Sequence, residues 1–309
     1  MSMAARGLAS GAPFQSPPAG EKPAQPLTIS QRFQQLYDQT RLTQDAKPRK
    51  GGKVLNPVFA NAGIEADYRK RLIKLVDKMQ DSIMYWLESA YRNNPPEIAQ
   101  DALPAAELRK AIRKLSRRWQ KQFNALAPDL ARYFSQAVHK RSDKALQRIL
   151  AKGGMAVEFK MTPAMRDIIQ ATVTANVSLI KSIPQRYFTQ IEGMVMRSVQ
   201  KGGDLKQLTT DLRKEFRVSK RRAALIARDQ NAKATGSLVR ARQIELGLTR
   251  AIWLHSGGGK HPRPTHVRNN GKEYDVIKGW WDPSVKKRIH PGELINCKCT
   301  NRAIVEGLS

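Results

Sequence analysis

Two short stretches near the C-terminal end of the chain hold most of its chemically versatile side chains. HSGGGKHPRPTH (255–266) carries His255, His261 and His266, and RIHPGELINCKCT (288–300) carries His290, Cys297 and Cys299. Four of the five histidines and both cysteines therefore fall in these two segments. Three kinds of chemistry suit such a set. A structural zinc ion takes four nitrogen or sulfur ligands, which His266, His290, Cys297 and Cys299 could supply, although Cys-x-Cys is a less usual spacing than Cys-x-x-Cys. A pair of histidines beside Arg or Lys could do general acid–base work on a phosphodiester without a metal. In the plainest alternative the same residues fix the loops of a small module. His266 and His290 would then bind backbone carbonyls, and the thiols would pack as small apolar groups. No acidic pair, nucleophile elbow or phosphate loop accompanies the cluster. The structural alternative is therefore the expectation, with no catalytic residue, cofactor or metal.

Two cysteines cannot build a disulfide framework, and a bridge between Cys297 and Cys299 across one residue would be strained. They read as reduced thiols, or as thiolates on a metal, in a reducing cytoplasm. Lys and Arg total 55 against 26 Asp and Glu, a formal charge of +29. Such an excess implies a polyanionic partner, nucleic acid first. No run approaches the ~18 apolar residues of a membrane span. The N-terminal MSMAARGLASGAPFQSPPAG lacks a signal-peptide core, so neither export by that route nor a membrane location is expected.

The elements that must position the cluster can be read from periodicity. Residues 1–57 read as a flexible, basic N-terminal arm, rich in Pro, Ala, Gly and Ser at its start and holding a loose DAKPRKGGKVLNP stretch (45–57) at its end. Ile64, Tyr68, Leu72, Leu75, Met79, Ile83, Trp86 and Leu87 recur at spacings of three and four, predicting a helix from Ile64 to Arg92 that Asn93-Asn94-Pro95-Pro96 stops. Ala127-Pro128 reads as a break, followed by a helix over about 128–152 that ends at Gly153-Gly154. Ala156 to Lys160 reads as a short extended piece. Thr162-Pro163 reads as an N-cap with Pro at the first helical position. That helix runs to about Ser182, Pro184 starts the next, and Gly202-Gly203 ends it. Asp204 and Ser219 read as caps of two further helices, the second closed by Gly247. Beyond it, TRAIWLH (249–255) and KEYDVI (272–277) read as strands. Trp253 reads as core, whereas Trp280 and Trp281 cannot both face inward from one strand.

The helix before Ala127 is the most regular. Leu108, Ala111, Ile112, Leu115, Trp119 and Phe123 share one face, and Arg109, Lys110, Arg113, Lys114, Arg117, Arg118 and Lys121 share the other. Like charges four apart destabilise a helix by a few tenths of a kcal/mol per pair. A helix that keeps several such pairs reads as one facing an anion, and these seven residues are the candidate nucleic-acid contacts.

From Ser219 onward the chain resembles the phage head morphogenesis family, that of phage Mu protein F and related minor capsid proteins. The resemblance rests on elements in fixed order. ALIARDQNAKATGSLVRARQIELG contains Arg228, Asn231 and Gly247, and Trp253 follows on its strand. RPTH brings Arg263 and His266, then come Asn270-Gly271-Lys272, and HPGELINCKC brings His290, Pro291, Cys297 and Cys299. One departure is the absence of an acid shortly before Arg263, where family members often carry Asp. The resemblance implies structural roles for Arg228, Asn231, Trp253, Arg263, His266, Gly271, His290, Pro291, Cys297 and Cys299. It also implies a non-enzymatic, low-copy procapsid component that associates with the portal protein and with other capsid or scaffold proteins. The expected location is inside the phage head, after assembly in the host cytoplasm, with contact to DNA without sequence preference. The alternative is a nucleic-acid-binding protein outside the virion, or a metal-independent nuclease using the His cluster. The expected class is α+β: a largely α-helical N-terminal body (58–203) followed by a small mixed α/β C-terminal module within a head-morphogenesis domain (204–309).

Overall fold

The computed structural model describes residues 52–93, 105–200, 205–257 and 261–306. Four long helices form the body: α1 (Ala62–Asn93), α2 (Ala105–Lys152), α3 (Pro163–Gln200) and α4 (Leu205–Glu245). α2 lies along α3, and α4 packs against both α3 and α1. The apolar repeat of α1 explains its place. Tyr68, Leu72, Val76, Met79, Ile83 and Leu87 are buried, each one turn from the next. Trp86 falls off that face and is 46% exposed. A polar chain crosses the core: the Tyr68 hydroxyl donates to Asn176 Oδ1, and Asn176 Nδ2 donates to Gln230 Oε1. The Tyr187 hydroxyl donates to Gln80 Oε1.

Three expected breaks are absent. Pro128 and Pro184 lie inside α2 and α3, and Ser219 is buried inside α4. An interior proline costs about 3 kcal/mol. Burying one large apolar side chain returns about 1.5–3 kcal/mol. Phe123, Ala127, Ala131 and Phe134 keep one buried face across Pro128, and Ile180, Ile183 and Tyr187 keep one across Pro184. Continuous packing therefore outweighs the local breaker. Other signals hold. Thr162 Oγ1 accepts from the Met165 N–H as an N-cap. At Gly247 (φ 72°) the Leu248 N–H reaches Gln243 O and the Gly247 N–H reaches Ile244 O, a Schellman close. The Gly202-Gly203 and Asp204 signals lie outside the described residues.

After α4 the chain forms β2 (Arg250–Leu254), α5 (Pro264–Arg268), β3 (Glu273–Asp275), β4 (Trp280–Asp282), β5 (Lys287–Ile289) and β6 (Thr300–Glu306). With β1 (Gly52–Val54), an antiparallel sheet runs β1-β6-β2-β3, and β4 pairs with β5. Its edge strand β1 (Gly52–Val54) comes from the segment expected to be part of the flexible arm. Lys53 pairs with Val305, and Leu55 and Val58 are buried with Leu146, Leu150, Val239 and Val305 in a second core. That apolar pattern is short and follows a Gly-Gly pair, so no periodicity announces it. The class is α+β, a helical body with a small C-terminal sheet module.

Candidate functional site

Trp253 is the hub of the module. On β2 the pattern alternates, with Ala251 and Trp253 inward and fully buried. The indole meets His266, Tyr274 and Trp280 edge-on, with ring centroids 5.3, 5.7 and 5.7 Å away. Trp281, its sequence neighbour, is 52% exposed, as the alternation requires. The short α5 starts with Arg263 at the N-cap and Pro264 next, and turns Thr265 and His266 into the interior.

His266 lies between two thiols and a carboxylate. Its Nδ1 is 3.4 Å from Cys297 Sγ and 3.6 Å from Cys299 Sγ. Its Nε2 is 3.4 Å from Oδ2 of Asp282, which is completely buried on β4. Asp282 also accepts from Thr265 Oγ1 and, at Oδ1, from the N–H and hydroxyl of Ser284. Burial pushes the Asp282 carboxyl up, but these hydrogen bonds and His266 outweigh it and hold it below the usual carboxylate range. The two thiols influence each other. Hydrogen bonding from Cys299, helped by His266 and opposed by burial, pushes Cys297 down to about 4, while Cys299 is pushed up. Among the described residues the ligand atoms of His266, Cys297 and Cys299 lie within 4.8 Å of one another, and all three residues are buried. His255, His261 and His290 are not part of that group. The four-ligand set read from the sequence is thus reduced to three. The expected carbonyl partner of His266 is replaced by side chains, because α5 aims the ring across the module rather than along a strand.

The other motif residues tie the cysteine loop and α4 together. Asn296 adopts a left-handed backbone (φ 61°), and its N–H donates to Asp229 Oδ1 while its side-chain oxygen accepts from Arg228. Arg263 donates to Ile295 O. Asn231 Nδ2 donates to Asn61 O, next to the Asn61 side chain that caps the Ile64 N–H at the start of α1. The Gly271 N–H donates to Trp253 O. Gly236 admits the loop: a Cβ there would sit 2.9 Å from Pro291 O. Across the base of the sheet Gln243 and Asn301 exchange side-chain hydrogen bonds, and Asn301 also donates to Tyr274.

A cavity of about 260 Å³ opens between α4, residues 58–60 and this loop, with Arg228, Arg240, Tyr274, His290, Pro291 and Cys299 in its wall. Burial, reinforced by Arg240, pushes His290 down to about 2. Its Nδ1 is enclosed and meets no hydrogen-bond partner among the described residues, so the expected carbonyl bond is not made there. Glu293 turns back to accept from the His290 backbone N–H and pairs with Lys287. An imidazole held neutral so far below pH 7 is a weak base.

The basic face of α2 stands apart from the module. Arg109, Lys110, Arg113, Lys114, Arg117, Arg118 and Lys121 are all exposed, and Ile112, Leu115, Trp119 and Phe123 are buried. The side chain of Leu108 lies outside the described residues. Arg109, Lys110, Arg113 and Arg117 line an open groove against α3, where Glu192 pairs with Arg113 at 3.3 Å. One acid therefore partly offsets this face from across the groove.

Asp282, Asp229, Gly236 and Arg240 were not singled out by sequence reasoning. Asp282 had one signal, a Trp-Asp-Pro-Ser turn whose Asp bonds the backbone two residues on. The others lie in a regular helix pattern that says nothing about loops arriving from 60 residues away, as the Asp229 to Asn296 bond does. Comparison with known proteins agrees with the resemblance: residues 189–302 match the family described as Phage Mu protein F like protein. The chain is also 26% identical over 152 residues to an uncharacterized protein of Haemophilus influenzae. That alignment covers 49% of the chain and 33% of the relative, so the chain spans about a third of the relative's length. No solved structure matches the chain.

Proposed function

We propose that the protein is a minor capsid protein of a tailed phage that acts in head morphogenesis, associates with the portal vertex, and contacts packaged DNA through the basic face of α2. The observation that carries this reading is the family match over 189–302, which runs from late α3 into β6 and takes in every residue that forms the motif. Those residues are used for holding: Arg228, Arg263, Asn231 and Gly271 each make a tie between segments. Such a module is built to present a rigid surface to other assembly components rather than to turn over a substrate.

The DNA contact is supported by the charge of +29 and by seven exposed cations along one helix face. Counterion release favours such a face on a phosphate backbone without reading bases. The phage head supplies that polyanion. No helix among the described residues is long and apolar enough to cross a membrane. Sedimentation of procapsids from cells carrying the phage, with mass analysis of their proteins, tests the reading. The chain is expected to co-sediment at low copy and to cross-link to the portal protein. Recovery only in the free-protein fraction, with procapsids lacking it, contradicts the reading and favours a nucleic-acid-binding protein that acts outside the virion.

A further inference from the structure

We infer that His266, Cys297 and Cys299 form a zinc site, with Asp282 as the carboxylate that orients its histidine. The inference stands on side-chain geometry and does not depend on what the protein assembles with. Zinc binds thiolate sulfur at about 2.3 Å and imidazole nitrogen at about 2.0–2.1 Å in a tetrahedron, which puts ligand nitrogen and sulfur about 3.6 Å apart. The Nδ1 to Sγ distances here are 3.4 and 3.6 Å. An ordinary buried thiol next to an imidazole has no reason to be matched by a second thiol at the same separation from the same nitrogen.

The outer arrangement fits as well. A metal-binding histidine typically offers its other ring nitrogen to a carboxylate, which fixes the tautomer and the ring orientation. His266 has Nε2 3.4 Å from Asp282 Oδ2, while Nδ1 faces the sulfurs. Asp282 is completely buried, and its other oxygen is held by Ser284. A carboxylate kept dry at that position is the acceptor that the free N–H of a metal-bound histidine calls for.

The ligands are also set in place before an ion arrives. The cysteine loop is pinned by Arg228, Asp229 and Arg263, and the Cys297 N–H donates to Leu294 O. The Trp253 indole closes one side of the His266 ring. Three protein ligands leave a fourth position. Cys299 also lines the 260 Å³ cavity, the side from which an ion and a fourth ligand would reach the site. On binding, the protons still held by the thiols pass to solvent, so affinity falls with acid. His290 has no part in the site, unlike the set that sequence spacing alone suggests.

The test uses the full chain, stripped with a chelator under reducing conditions and titrated with Co²⁺ and then Zn²⁺. The expected result is a single Co²⁺ per chain, with a thiolate-to-cobalt charge-transfer band and tetrahedral visible bands that Zn²⁺ displaces. Cys297→Ser and Cys299→Ser should each remove or halve the charge-transfer band. Asp282→Asn keeps both sulfurs and should weaken affinity about 10–100-fold. His290→Ala should leave affinity and spectrum unchanged. If the cysteine variants fail to fold, the wild-type stoichiometry and the Asp282→Asn shift decide. Failure of the reduced wild type to bind Co²⁺ stoichiometrically, a charge-transfer band undiminished in both cysteine variants, or loss of the site in His290→Ala would each overturn the inference.

Discussion

Acidification to about pH 5 should destabilise the wild-type protein more than a His290→Gln variant. His290 is held near 2 in the folded chain by burial and by Arg240, against an ordinary value of 6.5. Below 6.5 the unfolded chain takes up a proton that the folded chain refuses. The stability present above 6.5 is therefore lost progressively as pH falls, and protonation of the folded state does not halt the loss until about 2. At pH 5 the full shift corresponds to RT ln(1 + 10^1.5), about 2 kcal/mol. The ring keeps some contact with solvent, which reduces the expected figure to about 1–2 kcal/mol. Urea unfolding at about pH 7.5 and pH 5, for wild type and variant, reads the difference. Every other ionisable group is common to the two proteins, so its contribution cancels in the difference. NMR of histidine-labelled protein supplies a direct check, since the His290 ring should stay neutral across that range. Equal losses in the two proteins, or a His290 resonance that titrates near 6.5, would refute the reasoning.

Other consequences follow from the same contacts. Arg242 is 2% exposed and binds Asp143 at 2.7 Å, Glu245 at 2.7 Å and Lys160 O at 2.9 Å. Arg242→Met takes the cation away from two largely buried carboxylates, leaving Asp143 with His139 and Glu245 with Thr162, and should cost about 3–5 kcal/mol in denaturant unfolding, whereas a cost below about 1 kcal/mol would mean the ion pairs are dispensable. Residues 248–309 expressed alone, free of metal, should be poorly folded. Their sheet loses the β1 edge and their second core loses Val239 and Leu150, and a well-dispersed NMR spectrum would contradict this. Replacing Arg113, Lys114, Arg117 and Arg118 together with Gln should weaken duplex binding evenly across sequences. It should also reduce the log–log salt slope by about 3–4. An unchanged slope removes this face as the contact.

The parts of the fold legible in the sequence were those fixed by local chemistry. Thr162-Pro163 and Gly247 marked helix ends because a cap or a positive φ is a one-residue requirement. The alternation around Trp253 marked β2. Pro128, Pro184 and Ser219 misled because their local cost is small beside the packing of long helices across them. The strand at Gly52–Val54 was hidden because its partner, β6, lies some 250 residues away. At the candidate site, the residue types in the His and Cys stretches mark loops that meet in the structure, but not which of their residues group together. His266 joins the cysteines, whereas His290 stays outside that group and lines the cavity that Cys299 also borders, a choice made by the turn of α5 and by the β4–β5 hairpin. Asp282, between the two stretches, carries in the sequence only the signal of a turn residue.

The central claim, that the chain works as an interior component of a phage head, is tested most directly by protease protection of purified particles. Intact DNA-filled heads treated with protease should retain the full-length chain. Heads opened before treatment should lose it, with the released protein partly bound to DNA at low salt. A chain digested from intact particles, or absent from them at every stage of purification, would contradict the account.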